Sequence, residues 1–450
     1  MFTTTFSALA KLLGCEQQGE GTITDVSIDS RAVRPGNLFM AIKGEQFDGH
    51  EYVAKAAQQG AVAAIVSRPV EASIPLFLVS DTVKALGEIA AFHRAKFSIP
   101  LIGVTGSCGK TTTKAMIASI LSGVSCTLAT SGTKNNHIGL PLTLLQLTKE
   151  HKYAVIEMGA NHAGEISYLS QIAKPTIGII TNANPVHIEG FGSIHRIASA
   201  KGEIFLTLNE DGIGIVNDDD TYAALWMSYL GVRQKLRFGL KPTADVYADQ
   251  IERYADQTYQ FVLHVADSEP VPVKLNVLGE HNIPNALAAA AACHCLGIDA
   301  YSIAKGLNNM EPVYGRLVTR SGKAGAHIID DSYNANPVAV KAALDILAAH
   351  QGEKIFVFAD MGELGENAAH YHYEVGVQAR EKGIDRLLAT GPLSQEAIKA
   401  FGANAQHFAT KEALTAALLP LLQPNVSVLL KASRSQQLEK VVQAIVATQA

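Results

Sequence analysis

The stretch GVTGSCGKTTTK, Gly103 to Lys114, decides how this chain is read. It follows the apolar run PLI and leads into AMIASIL, so a strand, a glycine-bearing turn and a helix succeed one another. Glycines let backbone N–H groups converge on an anion, and a helix start adds the positive end of its dipole. The common phosphate loop is GxxxxGK followed by Ser or Thr, which would put its first glycine at Val104. Here Gly103 stands one residue early. Gly106, Ser107, Gly109 and Thr112 supply the rest of the turn. Lys110 suits the β and γ phosphates, and Thr111 can bring a hydroxyl to Mg²⁺. A tight turn with a surface lysine is the simpler alternative, but it leaves the coincidence of strand, GKTTT and helix unexplained.

Outward from the loop, short apolar runs alternate with helical segments: CTLAT, HIGLPLTLLQLT, YAVIEMG, TIGIITN and GIGIVN. Apolar strands separated by helices predict a parallel, doubly wound sheet and an α/β fold. Between about 244 and 278 the texture shifts to period-2 alternation, which predicts antiparallel strands at the edge of the same domain. A helix starting near Ile283, with Pro284 in its first turn, closes the unit. After Gly315 a second alternation begins with AHIIDD, a helix from Pro337 and KIFVFAD. It continues with a helix over His370 to Lys382, DRLLAT and VSVLLKA. The first 80 or so residues have shorter elements and a turn at Pro35 and Gly36. The expected architecture is therefore a small α/β domain (1–81), a central P-loop ATPase domain (82–314) and a Rossmann-like α/β domain (315–450).

Composition narrows the class. At 450 residues the chain exceeds what one core usually organises. Its 37 Lys+Arg against 42 Asp+Glu give no global attraction to nucleic acid or an anionic membrane. No apolar run approaches the roughly 20 residues of a membrane span. LLGC at Leu12 to Cys15 mimics a lipoprotein site, but its flank lacks a basic start and Lys11 interrupts the apolar stretch. An amphipathic helix with Phe6, Leu9, Leu12 and Leu13 on one face is the better reading. Five cysteines without a CxxC pair suit a reducing, cytoplasmic setting. Cys293, His294 and Cys295 lie in an alanine-rich helix whose i, i+2 positions face apart, so packing is expected there rather than metal.

Other candidates sit just past strand ends, where doubly wound sheets keep ligands. Glu157 follows YAVI, and His187 lies in NANPVHIEGFGS. Both could complete magnesium or phosphate coordination, although Mg²⁺ seldom takes imidazole and a solitary strand-end histidine can equally be structural. Lys201, in SAKGEIF, would become chemically useful only in a desolvated pocket. A guanine-specific switch would need NKxD, which is absent; a loop-type NTPase acting as a switch or motor is the rival to a small-molecule enzyme.

GVTGSCGKTTTK, EMGANHAGEI, NANPVHIEGFGS, AKGEIF, LGEHNIPNALAAAA, YGR and DDSYNANP together resemble the Mur ligase family, ATP-dependent amide-forming enzymes of bacterial cell-wall precursor synthesis. The family's loop has the same early glycine. DSYNANP, DMGELG and SIDSRAVRPGNLFMAIKGEQFDGH are similar to the branch that adds D-alanyl-D-alanine to a UDP-N-acetylmuramoyl-tripeptide; the DNPR motif of the diamino-acid-adding branch is absent, as is the GKGS of folylpolyglutamate synthases. The resemblance implies ATP, two Mg²⁺ ions and a monomer without nucleic-acid or membrane partners. It puts Thr111 and Glu157 on magnesium, His187 beside the second metal, and a CO₂-derived carbamate on Lys201. Asn282, Asn285, Arg316 and Asp331 would contact the nucleotide. Ser30 and Arg31 would hold the uridine nucleotide, with Thr133, Asn135 and Asn136 near the peptide. Asn334 and Asn336 would lie near the reacting end, and Asp360, Lys431 and Ser433 near the dipeptide. One departure is Lys431-Ala432-Ser433-Arg434 where the family has a KGSR-like turn. A glycine needed there at positive φ would disfavour alanine.

Overall fold

The computed structural model describes residues 2–186 and 188–447. The strand before the loop, Leu101–Thr105, is buried along its whole length, third from one edge of a nine-stranded sheet. Tyr153–Glu157 flanks it on one side and Ile177–Ile180 on the other, both parallel to it. The register pairs Val104 with Glu157 and Thr105 with Ile180, so three carboxyl ends meet at one sheet edge. Such strands are covered on both faces, which is why LIGVT, AVIE and IGII read as continuous apolar runs. Val246–Arg253, Tyr259–Val265 and Val271–Lys274 form the expected antiparallel edge.

Gly103 lies inside this strand, not in the turn. A Cβ there would meet Ile204 at 3.1 Å, Met158 at 3.2 Å and Pro175 at 3.3 Å. The early glycine thus lets the helix Ile194–Leu206, which carries Lys201, lie close on the sheet. On the other face the loop's own helix, Lys110–Ser122, packs against Asn282–His294. The alanines of that second helix are fully buried, together with Cys293, so the two axes approach with little side chain between them.

The first part of the chain forms a four-stranded parallel sheet, Asp25–Ser27, Asn37–Met40, Ala63–Val66 and Leu76–Leu78. The helix Phe6–Leu13 buries Phe6 and Leu9, as its pattern predicts. Phe2, Ile23 and Phe77 join Leu86 and Ile89 of the helix Thr82–Arg94, then Leu144 and Ile172, in one core cluster. That shared core ties this sheet to the central one. In the last part, His327–Asp331, Val426–Lys431, Glu353–Ala359, Arg386–Thr390 and Ala405–Phe408 run parallel in that order, with Val318–Ser321 antiparallel at the edge. The two edge strands are short and mixed in polarity, so no apolar run in the sequence marks them. Among the described residues, no helix is long and apolar enough to cross a membrane.

Candidate active site

The loop is built by backbone geometry that only glycine tolerates. Gly106 has φ +146° and Gly109 φ +82°, and a Cβ on them would meet Thr181 Oγ1 at 2.0 Å and Asn285 Oδ1 at 2.2 Å. The turn is therefore clamped between the end of a neighbouring strand and the helix Asn282–His294. Ser107 N–H donates to the Asn182 carbonyl (3.0 Å), and Cys108 N–H to Asn182 Oδ1 (2.9 Å). The first amide of the helix to find its helical partner is Thr113, bonded to the Gly109 carbonyl. The amides of Lys110, Thr111 and Thr112 precede it, the arrangement that receives an anion.

Lys110 folds back, its Nζ donating to the carbonyls of Gly106 (2.7 Å) and Ser107 (3.2 Å). Burial lowers its pKa, and Glu157 opposes that shift. Thr111 Oγ1 donates to Glu157 Oε1 (3.2 Å), and Asn135 Nδ2 donates to the same oxygen (2.8 Å). Glu157 is 1% exposed, and its Oε2 is buried with no hydrogen-bond partner. Lys114, one turn beyond Lys110, brings its ammonium to 3.6 Å from that oxygen. It also donates to the carbonyls of Thr130 (2.8 Å) and Gly132 (3.4 Å). Burial lowers its pKa too, with Glu157 resisting. Sequence reasoning missed Lys114, although the i, i+4 spacing from Lys110 on one helix face was a usable signal.

A cavity of about 750 Å³ opens from the loop toward the last domain. Arg316 crosses it, with Nη2 at 3.5 Å from Thr111 Oγ1 and its guanidinium 4.5 Å from the Tyr333 ring. Asn336 Nδ2 lies 3.5 Å from Cys108 Sγ, a second contact between loop and last domain. Asn282 and Asn285 form a chain: Asn285 donates to Asn282 (2.9 Å), which donates to the Leu278 carbonyl (2.8 Å). Lys431 and Asp331 form a buried ion pair, and Lys431 Nζ also reaches the Asn334 carbonyl (3.1 Å). Burial raises the Asp331 pKa, and Lys431 counters it.

Lys201 is 1% exposed, its Nζ 3.3 Å from the Ala160 carbonyl and 5.2 Å from the Phe191 ring centre. Burial, helped by the charge of Lys110, lowers its pKa to about 7. Its ammonium is thus desolvated, although Lys201 does not line the cavity.

Several candidates have structural employment. Asn136 Oδ1 accepts the amide of Gly139 at the helix Gly139–Leu144, and Asn336 Oδ1 accepts that of Ala339 as N-cap of Pro337–Ala348. Asn334 Oδ1 accepts the next amide, Ala335. Asp360 accepts from Ser394 N (2.7 Å), Ser394 Oγ (2.6 Å) and Leu393 N (3.2 Å), and it does not line the cavity. Ser433, which does line it, accepts the Gly362 amide at 2.7 Å. Thr133 lines the cavity, whereas Ser30 and Arg31 lie outside it on the first sheet's domain. Ser30 is buried there, and exposed Arg31 pairs with Asp29 at 2.8 Å. Ala432 is buried and free of the left-handed region, so alanine fits the turn without strain. His187 lies outside the described residues.

Comparison with known proteins agrees with this layout. Three family models match in order: "Mur ligase family, catalytic domain" over 22–94, "Mur ligase middle domain" over 104–293, and "Mur ligase, glutamate ligase domain" over 315–434. The chain belongs to the Mur ligase family, ATP-dependent ligases with three α/β domains. Within it, the chain is 41% identical over 449 residues to the UDP-N-acetylmuramoyl-tripeptide–D-alanyl-D-alanine ligase of Escherichia coli (strain K12), covering 99% of each. A crystal structure of MurF from Acinetobacter baumannii superposes with a TM-score of 0.91, at 36% identity and 98% coverage of both chains. MurF ligase from Thermotoga maritima in complex with ADP gives 0.81, at 29% identity over 93% of this chain and 96% of that one.

Proposed function

We propose that this chain uses ATP to join D-alanyl-D-alanine to UDP-N-acetylmuramoyl-tripeptide, giving the pentapeptide precursor of peptidoglycan with ADP and phosphate. The observation that carries the reading is half-buried Lys110 beside buried Thr111 and Glu157, opening on a cavity whose far wall belongs to the last domain, with Arg316 bridging the two. End-to-end likeness to ligases supports it, and nothing in the comparisons favours a switch or motor.

A carboxylate resists attack by an amine. Transfer of the γ-phosphoryl group from ATP to the tripeptide's terminal carboxylate makes an acyl phosphate and releases ADP. The dipeptide amine then attacks the carbonyl carbon, the C–O bond to phosphate breaks, and the amine loses a proton. Lys110 and the amides at the helix start stabilise charge on the transferring group, and Arg316 adds a cation from the last domain. Asn282 and Asn285 hold the nucleotide side. Ser30 and Arg31 take the uridine nucleotide, and Thr133 and Asn135 border the peptide.

The donor set fits magnesium: a buried carboxylate oxygen without a hydrogen-bond partner, beside a threonine hydroxyl, is the hard-oxygen surrounding this ion takes with substrate phosphates. Thr111 and Glu157 would hold it, and bound Mg²⁺ would neutralise the phosphates. Lys201 fits a carbamate. An amine whose pKa is about 7 is partly neutral at physiological pH; the neutral form would add to CO₂ with loss of one proton, giving an anionic carbamate that offers oxygen donors. All these groups come from one chain, so a monomer suffices, and ATP with nucleotide-linked substrates fits the cytoplasm.

The test is phosphate release from ATP and Mg²⁺ with the UDP-linked tripeptide, with D-alanyl-D-alanine, and with both. Release that requires both supports the ligase. Comparable release with neither substrate would overturn it.

A further inference from the structure

Glu157 faces three cations of its own chain. Lys114 brings its ammonium to 3.6 Å from Oε2, Lys110 lies within reach of the same charge, and Arg316 touches the Thr111 hydroxyl that donates to Oε1. The other acids lining the cavity are engaged elsewhere: Asp331 by Lys431, Glu165 by the amides of Asn161 and His162, and Glu363 by the Asn161 side chain at 3.5 Å. The surroundings of Glu157 are therefore net positive before any ligand enters. We propose that Lys114 is a positioning residue that sets the order of loading: it neutralises Glu157 in the empty enzyme, so that a divalent cation enters only together with nucleotide phosphates. This rests on the magnesium reading above.

Lys114 differs from the other two cations in where it stands. Lys110 and Arg316 line the cavity, where phosphates can reach them, whereas Lys114 is buried behind the loop and does not. Its ammonium is tethered by the Thr130 carbonyl at 2.8 Å and the Gly132 carbonyl at 3.4 Å. Thr130 holds the partner too, since its Oγ1 accepts the Glu157 amide at 3.0 Å. One residue thus fixes both members of the pair. At 3.6 Å the ammonium compensates the charge without a hydrogen bond, so Oε2 keeps its lone pairs for another ligand.

The charges decide what can enter. A dication arriving alone adds two positive charges to a buried cluster that is already cationic, and the weak screening of an interior makes that unfavourable. The phosphates of a nucleotide bring the negative charge that reverses the balance. Without Lys114, Glu157 is a buried carboxylate lacking its nearest counter-charge, and a free dication becomes a suitable partner for it.

The experiment measures metal binding without turnover. Mn²⁺ stands in for Mg²⁺, and its protein-bound fraction is read by water-proton relaxation for the parent, Lys114→Met, Lys114→Gln and Glu157→Gln, each with and without ADP. The parent should bind Mn²⁺ alone at least about tenfold more weakly than with ADP, and Glu157→Gln should lose the ADP-dependent site. Both Lys114 variants should bind Mn²⁺ alone about tenfold or more tightly than the parent does, the scale on which one unit charge beside a ligand oxygen shifts the affinity for a dication. A damaged fold would weaken binding, so a gain separates this role from a structural one. A parent that binds Mn²⁺ equally well with and without ADP overturns the proposal, and this arm stands even if neither Lys114 variant folds. Folded Lys114 variants with the parent's affinity for Mn²⁺ alone overturn it as well. A parent that binds no Mn²⁺ with ADP removes the magnesium reading itself.

Discussion

Replacing Lys114 by methionine leaves the Glu157 carboxylate in the interior without its counter-charge. The two side chains are 8% and 1% exposed, and their charged atoms lie 3.6 Å apart. Removing one partner of so buried a pair costs about 3–5 kcal/mol, because the remaining charge is stranded. The Thr130 and Gly132 carbonyls lose their donor as well. Glu157→Gln should cost less, since Lys114 keeps both carbonyls as acceptors. The double variant should be more stable than the sum of the two losses predicts, by about 1–3 kcal/mol of coupling. Trp226 is a convenient reporter: it is the one tryptophan in the chain, it is fully buried, and its Nε1 donates to the Ala198 carbonyl inside the central domain. Urea unfolding followed by its fluorescence, without nucleotide or divalent cation, measures each loss. A Lys114→Met variant within about 1 kcal/mol of the parent, or strictly additive losses, would refute the view that this pair is a coupled buried unit.

Other consequences are equally accessible. Lys110→Ala should lower turnover by about 100-fold or more, the scale of losing a preorganised electrostatic stabiliser, and steady-state rates near the parent's would count against its role. Gly109→Ala must adopt φ +82° and push a methyl into Asn285, so the variant should lose at least about 1–2 kcal/mol of stability in urea unfolding, from backbone strain alone, and an unchanged midpoint would refute this. With a folded pKa of about 7, Lys201 is protonated and inert toward CO₂ below that pH and reactive above it. A ¹³C-carbamate signal from labelled bicarbonate should therefore grow as pH rises from 6 to 8 and vanish in Lys201→Ala. The same shift bears on stability, because between about pH 7 and 10 the unfolded chain holds more protons at this residue, so its contribution to stability rises with pH.

Sequence legibility followed the physics of each feature. Parallel strands covered on both faces must be apolar throughout, so LIGVT and IGII declared themselves. Edge strands such as Val318–Ser321 carry no such demand. The loop was legible because its requirements are local: glycines at positive φ, then Lys and Thr at a helix start. The Lys114–Glu157 and Asp331–Lys431 pairs were not, since each depends on which distant strands or helices end up adjacent. Asn136 and Asn336 illustrate an ambiguity: asparagine ahead of a helix is both a cap signal and a plausible ligand contact, and here the caps are occupied. Gly103 looks in sequence like a displaced loop residue, but its reason is the close approach of the helix that carries Lys201.

If the γ-phosphoryl group passes to a carboxylate before the amine attacks, one oxygen of that carboxylate leaves with the phosphate. Labelling the terminal carboxylate of the UDP-linked tripeptide with ¹⁸O and analysing the released phosphate by mass spectrometry tests this directly. Each turnover should place one ¹⁸O in the phosphate, because the C–O bond of the acyl phosphate breaks on the carbon side. Phosphate free of label, formed at the same rate as the amide product, would contradict it.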